Sequence, residues 1–347
     1  MKKTLAALIV TAFAASAANA AVVYDNEGTK VELNGSLRLI MEKADKKVYN
    51  AANQSTKKAN SALRNAGSRF GITVKHNLDN DFYALGRLEF RFDDTTSRDK
   101  FGRLYAKRAY VGLGSKATGD ITFGRQLTIA DDLSQAVDYE YGFIPKSEYI
   151  PTAGTGVVRY DYKGIEGLQL SANYNFGQTN DEKGNPLKPG IKNAYAVGAL
   201  YTVGDLDARL AYGHTNFETG ASYAHRLDGV LASLGYKFGD FTLTGDFGYG
   251  HEKLDDAKLN KFYVSPGFAY QVVPASKVYG NYLYERVKAE SDKVKTHGFL
   301  LGADYQLHKQ VVVFLEGKYV TKKEYVADTL DKKTKDRAIG VGMRVFF

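Results

Sequence analysis

The 347-residue chain has no cysteine and no tryptophan, and only three methionines and six prolines. Without cysteine, neither a disulfide framework nor a thiolate metal site is available. Past the first twenty residues no apolar run approaches the roughly 20 residues that a spanning helix needs. Mean hydropathy is −0.34, so a helical membrane fold is excluded. The signatures of common enzyme sites are missing too. His76, His214, His225, His251, His297 and His308 are scattered without metal-ligand spacing such as H-E-x-x-H. No G-x-x-x-x-G-K-[ST] and no G-x-S-x-G occurs, and no dinucleotide fingerprint sits between a strand and a helix. No cofactor is implied.

What is present begins with the N-terminus. Lys2 and Lys3 precede an apolar stretch, residues 5–15, and then the small-residue pattern Ala18, Asn19, Ala20. This is the build of a cleaved signal peptide, 1–20, and places the mature chain at 21–347. The mature part is longer than a typical soluble domain of roughly 100 to 200 residues, but one large barrel holds it. The formal charge of +8 falls to +6 once Lys2 and Lys3 are removed. Nucleic-acid binding is not expected from this basic balance, because the chain is exported and its charges are dispersed rather than gathered on one element.

Tyr (25), Phe (19) and Gly (35) are abundant, a composition that favours strands. Period-two alternation runs almost from end to end. Leu168, Leu170, Ala172, Tyr174 and Phe176 interleave with Gln169, Ser171, Asn173 and Asn175, which describes a strand with one greasy and one wet face. The same dyad returns at Phe241, Leu243, Phe247 and Tyr249, and at Phe299, Leu301, Ala303 and Tyr305. About sixteen strands are expected, beginning near Lys30, Ser68, Asp81, Arg103, Asp120, Val157, Gly167, Asn193, Leu206, Arg226, Phe241, Lys261, Lys277, Thr296, Gln310 and Asp336. An even number suits a closed barrel, in which no strand edge is left unpaired.

Connector length alternates. Short turns fall at 79–81, 115–120, 164–167, 204–205, 239–240, 273–276 and 308–309. Long polar stretches fall at 43–67, 93–102, 127–156, 178–192, 217–225, 253–260, 287–295 and 323–335. Short turns at one rim and long loops at the other are the layout of a transmembrane β-barrel. The apolar set of each strand then faces lipid, and a barrel of sixteen strands is too wide for side chains to fill, so a channel follows. Glycine pairs such as Gly248 and Gly250, or Gly340 and Gly342, fit barrel bends and close strand approach.

The last strand, Ala338, Ile339, Gly340, Val341, Gly342, Met343, Arg344, Val345, Phe346, Phe347, resembles the C-terminal strand of outer-membrane barrels. That resemblance implies that Phe347 is the signal read by the barrel-assembly machinery. From the leader to Phe347 the chain resembles the general porins of Gram-negative bacteria, most closely the Haemophilus and Pasteurella type. The match rests on Ala21-Val22-Val23-Tyr24, Gly67-Ser68-Arg69-Phe70, Gly124-Arg125 with Thr128-Ile129-Ala130-Asp131, and Tyr263-Val264-Ser265-Pro266-Gly267-Phe268. The resemblance implies an all-β, 16-stranded antiparallel transmembrane β-barrel in the outer membrane, assembled as a homotrimer. It also implies that the third long loop folds inward.

That loop is expected at 127–156 and carries Asp131, Asp132, Asp138, Glu140 and Glu148. By alternation Arg38, Arg69, Arg87, Arg91, Arg108 and Arg159 point inward from the opposite wall. Acid facing base across a narrowed pore sorts permeating ions and orients dipoles. The resemblance carries the family's acidic loop positions onto Asp138 and Glu140, and its arginine cluster onto Arg69 and Arg108. The Pro-Glu-Phe-Gly-Gly stretch of many enterobacterial members is replaced here by Tyr139-Glu140-Tyr141-Gly142-Phe143. Further inward-facing charges are expected at Lys75, Lys163, Arg209, Lys237, Lys318 and Arg344, against Glu89, Asp161, Asp207, Asp246, Asp304 and Glu316. The more basic wall predicts a mild preference for anions among small hydrophilic solutes.

A barrel enzyme is the main rival class, and no nucleophile motif supports it. Adhesion through the long loops is compatible with a pore, since loops carry recognition. Lys46-Lys47, Lys57-Lys58, Lys322-Lys323 and Lys332-Lys333 fall in expected outer loops, where they would meet lipopolysaccharide phosphates among the outer-membrane lipid.

Overall fold

The computed structural model describes residues 20–93, 101–218, 225–255 and 257–347. The expected leader lies outside the described residues apart from its last position. In chain order the strands are β1 (Ala21–Asn26), β2 (Thr29–Tyr49), β3 (Ser55–Asn65), β4 (Arg69–Asn77), β5 (Phe82–Asp93), β6 (Arg103–Ser115) and β7 (Gly119–Leu127). They continue with β8 (Ala153–Ile165), β9 (Leu168–Asn175), β10 (Gln178–Asn180), β11 (Pro186–Val203), β12 (Leu206–Phe217) and β13 (His225–Phe238). The last are β14 (Phe241–Leu254), β15 (Ala257–Val273), β16 (Ser276–Ala289), β17 (Asp292–His308), β18 (Val311–Val326) and β19 (Thr329–Phe346).

These nineteen segments make sixteen barrel staves, all antiparallel. β3 and β4 are one stave, interrupted at 66–68, because both pair along the same side of β2. β9 and β10 are likewise one stave against β11. β1 is a short arm that the alternation did not reveal. It pairs with β2 from Thr29 to Leu33, where β19 has already ended at Ser36, so the N-terminal arm continues the line of the C-terminal strand.

The sheet closes through β19 and β2, with Val341 opposite Met41 and Met343 opposite Leu39. Beyond the last ladder residue, Gly35 N–H donates to the Phe347 carbonyl at 2.8 Å and Phe347 N–H donates back at 3.1 Å. A Cβ on Gly35 would stand 2.5 Å from the Phe347 ring, so the seam requires glycine there.

Alternation decides which way each side chain points. Across neighbouring strands Leu315, Val341, Met41 and Leu63 stand directly opposite one another on one face, all at least 49% exposed. Their neighbours of opposite parity, Glu316, Ile40 and Ala338, are buried. An apolar girdle of this size is favourable against hydrocarbon and unfavourable in water. Closure through β19 and β2 joins the sheet's first and last staves, so the membrane-crossing ladder has no free edge.

Most of the stretches expected as long loops are strand. β2 runs for 21 residues, β19 for 18, and β15 and β17 for 17 each, against the roughly 9–11 needed to cross the membrane. The polar runs 43–67, 178–192, 253–260, 287–295 and 323–335 are therefore hairpins that stand beyond the bilayer. Some close on very tight turns; Ala327 and Asp328 both adopt positive φ, at 46° and 64°. Outside the membrane both faces of a strand are wet, the dyad vanishes, and such a strand reads as a loop. The segment 128–152 is different: it contains only two short 3₁₀ turns, Ile129–Leu133 and Lys146–Glu148. The expected loops 93–102 and 217–225 lie largely outside the described residues.

Candidate pore constriction

The inward parity of five adjacent strands builds an arginine ladder. Arg344 on β19 stands opposite Arg38 on β2, and Arg69 on β4 opposite both Ser36 on β2 and Arg91 on β5. Glu89 on β5 stands opposite Arg108 on β6. Buried Glu89 serves three guanidiniums: Arg91 at 2.6 Å, Arg87 at 2.8 Å and Arg108 at 3.7 Å. Arg38 donates to Ser36 Oγ at 2.7 Å, and Arg69 to the Gly67 carbonyl at 3.1 Å. Arg344 donates to the Tyr139 carbonyl and lies 4.7 Å from the Tyr139 ring centre. Among the described residues Arg38, Arg69 and Arg344 make no ion pair, so positive charge accumulates along this arc.

The segment 128–152 packs on the face of the wall opposite the exposed apolar girdle. Its apolar residues Ile129, Leu133, Tyr149 and Ile150 bury against Ala196, Ala211, Leu231 and Tyr263. The wall makes room through glycine: a Cβ on Gly213 would lie 2.5 Å from Ile150, and one on Gly229 would lie 2.2 Å from the Tyr149 carbonyl oxygen. Polar anchors hold the middle of the segment. The fully buried Glu316 carboxylate accepts the backbone N–H groups of Tyr139, Glu140 and Tyr141 at 2.7, 2.8 and 2.5 Å, and the Tyr279 hydroxyl at 2.9 Å. Asp246 accepts from Gln135 N–H at 3.0 Å, and Asp304 from the Tyr139 hydroxyl at 2.7 Å. Asn281 donates to the Val137 carbonyl at 2.8 Å, and Arg209 to the Asp132 carbonyl at 2.7 Å.

The acids expected on this segment have different fates. Asp132 meets Arg159 at 2.7 Å, and Arg159 also meets Asp161 at 2.8 Å, so these three form a local cluster rather than facing each other across a gap. Asp131 lies 3.9 Å from Lys146, and Glu140 meets Arg64 at 2.6 Å. Glu148 is exposed next to Tyr149, whose hydroxyl reaches Glu285. Asp138 is exposed, with its carboxyl lying beside Gly142; desolvation by the neighbouring wall and loop, and then repulsion from Glu316, raises it to about 6, with Arg344 opposing the shift.

Wall acids grouped in the sequence as pore charges mostly have other tasks. Asp246 and Glu316 anchor loop N–H groups. Asp207 pairs with Arg209 at 2.8 Å and Asp304 with Lys277 at 2.6 Å, while the inward-read Lys318 meets Asp336, an acid the sequence reading did not single out, at 2.8 Å. Alternation gives a face but not a partner.

Among the cations absent from the sequence reading, Arg64 and Lys107 show why. Arg64 lay in a supposed loop; it is a strand residue whose Nε meets Glu42 at 2.8 Å. Carrying the dyad on from exposed Leu63 would have found it. Lys107 occupies a bulge, where the β5–β6 register moves from Glu89 opposite Arg108 to Phe90 opposite Ala106. It reaches Glu182 and lies near Arg91 and Asp131, whereas strict alternation from Arg108 assigns it to the lipid side. The paired lysines are strand residues as well, and each dipeptide splits between the two faces.

A closed antiparallel barrel of sixteen staves, apolar outside and charged within, defines the class of outer-membrane channel barrels. The comparisons agree. The model of the Gram-negative porin family matches residues 4–325. The major outer membrane protein of Pasteurella multocida strain Pm70 is 30% identical over 377 residues, covering 100% of both chains. In-vitro folded OmpT, an outer membrane protein of Vibrio cholerae, superposes with a TM-score of 0.71 at 18% identity, over 94% of this chain and 99% of that one. An anion-selective porin from Comamonas acidovorans gives a TM-score of 0.66 at 17% identity, over 92% and 100%. The chain belongs to the Gram-negative porin family; it is an outer-membrane channel rather than an enzyme.

Proposed function

We propose that the protein is a general diffusion channel for ions and small hydrophilic solutes, selecting weakly for anions. The segment 128–152 is the inward-folded constriction loop, and the arc Arg38, Arg69 and Arg344, flanked by Arg87, Arg91 and Arg108, is the basic wall that faces it. Asp131, Asp132, Asp138, Glu140 and Glu148 belong to the same loop, and Asp138 meets the field of Arg344 without an ion pair to it. The observation that carries this reading is the imbalance: Arg38, Arg69 and Arg344 have no carboxylate partner among the described residues, while most loop and wall acids are paired or hold backbone N–H groups. A fixed field of one sign enriches its counter-ions.

The physical step is passive. A hydrated solute enters the wide polar mouth, meets the narrowing beside the loop, and an anion is attracted while a cation is repelled by the arginines. No bond is made or broken. In a salt gradient across a planar bilayer the reversal potential should report anion preference. Replacing Arg38 and Arg69 by Gln should reduce the anion-to-cation permeability ratio by roughly tenfold at low salt, an effect that shrinks as salt screens it. Cation preference of the unaltered channel would overturn the selectivity reading.

Export and assembly complete the proposal. Removal of residues 1–20 leaves Ala21 as the mature N-terminus, Phe347 marks the strand for the barrel-assembly machinery, and three copies associate as a homotrimer in a membrane that contains lipopolysaccharide. N-terminal sequencing of the outer-membrane form should begin at Ala21.

A further inference from the structure

The β10–β11 hairpin is built unlike its neighbours. Pro186 and Pro189 fall in the arm that leads into β11, and proline brings no N–H to a ladder. Pairing is accordingly sparse and irregular. Between Gln178 opposite Ile191 and Asn180 opposite Pro186, β10 advances two residues while β11 advances five. Extra residues in one arm bend a hairpin. The β18–β19 hairpin, by contrast, stays paired up to Val326 opposite Thr329.

The tip beyond this bend is a fixed body. The Asp181 carboxylate accepts the backbone N–H groups of Lys183 and Asn185 at 2.9 and 2.8 Å and the Asn185 side-chain amide at 2.9 Å. Gly184 supplies the positive φ, 86°, that closes the turn. At the base, Gln178 accepts the Thr155 N–H of β8 at 2.9 Å.

What holds the tip lies well along the sheet. The staves run β6, β7, β8 and then β9 with β10. Yet the Glu182 carboxylate pairs with Lys107 on β6, and the Glu182 carbonyl accepts from Arg125 on β7 at 3.0 Å. The hairpin therefore leans over β8 and β7. Arg125 lies two residues before Leu127, where β7 ends and the segment 128–152 begins, and Lys107 lies near Asp131 of that segment. The tip thus sits at the root of 128–152. Both side chains of the ion pair are shielded, at 16% and 17% exposure. Glu182 Oε1 is buried without a hydrogen-bond partner, so the carboxylate is held by one of its two oxygens.

We propose that Glu182 is a positioning residue that sets how large a solute the channel admits. Its latch keeps the β10–β11 hairpin as a strap across the outer mouth beside the root of 128–152, and release lets the hairpin swing upright and widen the entrance. Loops that control access turn on a few residues at their base, and the bend between Gln178 and Ile191 is such a base. The proposal rests on the channel reading and supplies the size limit that reading leaves open.

The chain has no cysteine, so Lys107→Cys with Glu182→Cys installs a single thiol pair. A short bis-methanethiosulfonate bridge spans the length of the two side chains replaced, and reductant removes it. The full mature protein is folded in detergent, inserted into planar bilayers and sized with neutral polyethylene glycols of graded length. The bridged channel should exclude the same polymers as the parent. Reduction of the same sample should move the exclusion limit to longer polymers and raise the single-channel conductance, while the sign of the reversal potential stays as it was. Glu182→Gln, which keeps the shape of the side chain, should sieve like the reduced form and covers the case in which the cysteine pair fails to fold. Glu290→Gln, at the exposed tip between β16 and β17, should sieve like the parent. A folded barrel in which the thiols cannot be bridged, one exclusion limit for bridged and reduced forms, or a Glu182→Gln channel that sieves like the parent would overturn the proposal and leave the channel reading intact. A bilayer that stays insulating would remove both.

Discussion

Glu316 is the side chain on which the loop depends most. Its carboxylate takes three consecutive backbone N–H groups and one tyrosine hydroxyl, and it is wholly buried. Glu316→Ala leaves those donors without a partner, at about 1–3 kcal/mol for each that stays dry. The loop should loosen, and single-channel recordings should show larger and noisier conductance; an unaltered trace would contradict the anchoring role. Asp138 makes a separate prediction. A carboxyl raised to about 6 is ionised above that pH and neutral below it. Acidifying from neutral pH through 6 removes a negative charge beside Arg344, so the anion-to-cation permeability ratio should rise. Asp138→Asn should abolish that pH dependence, and a variant that titrates like the parent would assign the effect to another group. At this scale the sequence was half legible. Period two placed Arg38, Arg69, Arg87, Arg91 and Arg108 on the inner face, because a β-strand permits only two directions. It could not pair Glu316 with the N–H groups of residues 139–141, since nothing local links positions so far apart in the chain. The bulge at Lys107 was equally hidden, because one extra residue changes facing without changing composition.

The seam between β19 and β2 is where the chain closes on itself, and its geometry is tight. Valine at Gly35 would drive a side chain into the Phe347 ring and toward the Arg69 carbonyl, 2.8 Å from the Cβ position. Gly35→Val should therefore lower the yield of folded, heat-resistant barrel several-fold, as should deletion of Phe347, whose backbone makes both hydrogen bonds to Gly35. Gel mobility of unheated samples from outer membranes reports it, and full yield from both variants would remove the seam from the account. Elements were the most legible level wherever membrane crosses them, since lipid on one side and water on the other impose the dyad. Strand starts near Arg103, Leu206, Phe241 and Lys277 fall within a residue of the observed ones. Beyond the bilayer the dyad fades, and hairpins such as β18–β19, which close on the positive-φ pair Ala327 and Asp328, read as loops in the sequence.

For the whole molecule, the governing fact is an inside-out distribution of polarity around a closed cylinder. Exposed Leu301, Leu315, Val341, Met41 and Leu63 lie side by side on its outer face, and the arginine arc and the residues that hold the segment 128–152 lie on the opposite face of the wall. On the proposed reading, charge that collects on one wall while the opposing acids are engaged would make a selective channel out of a merely open one. The direct test is single-channel recording of the purified mature protein in a planar bilayer under a salt gradient. The account predicts discrete conductance steps whose reversal potential lies on the anion side and moves toward zero in Arg38→Gln, Arg69→Gln. A bilayer that stays insulating after the folded protein is added, or steps that reverse on the cation side, would contradict it.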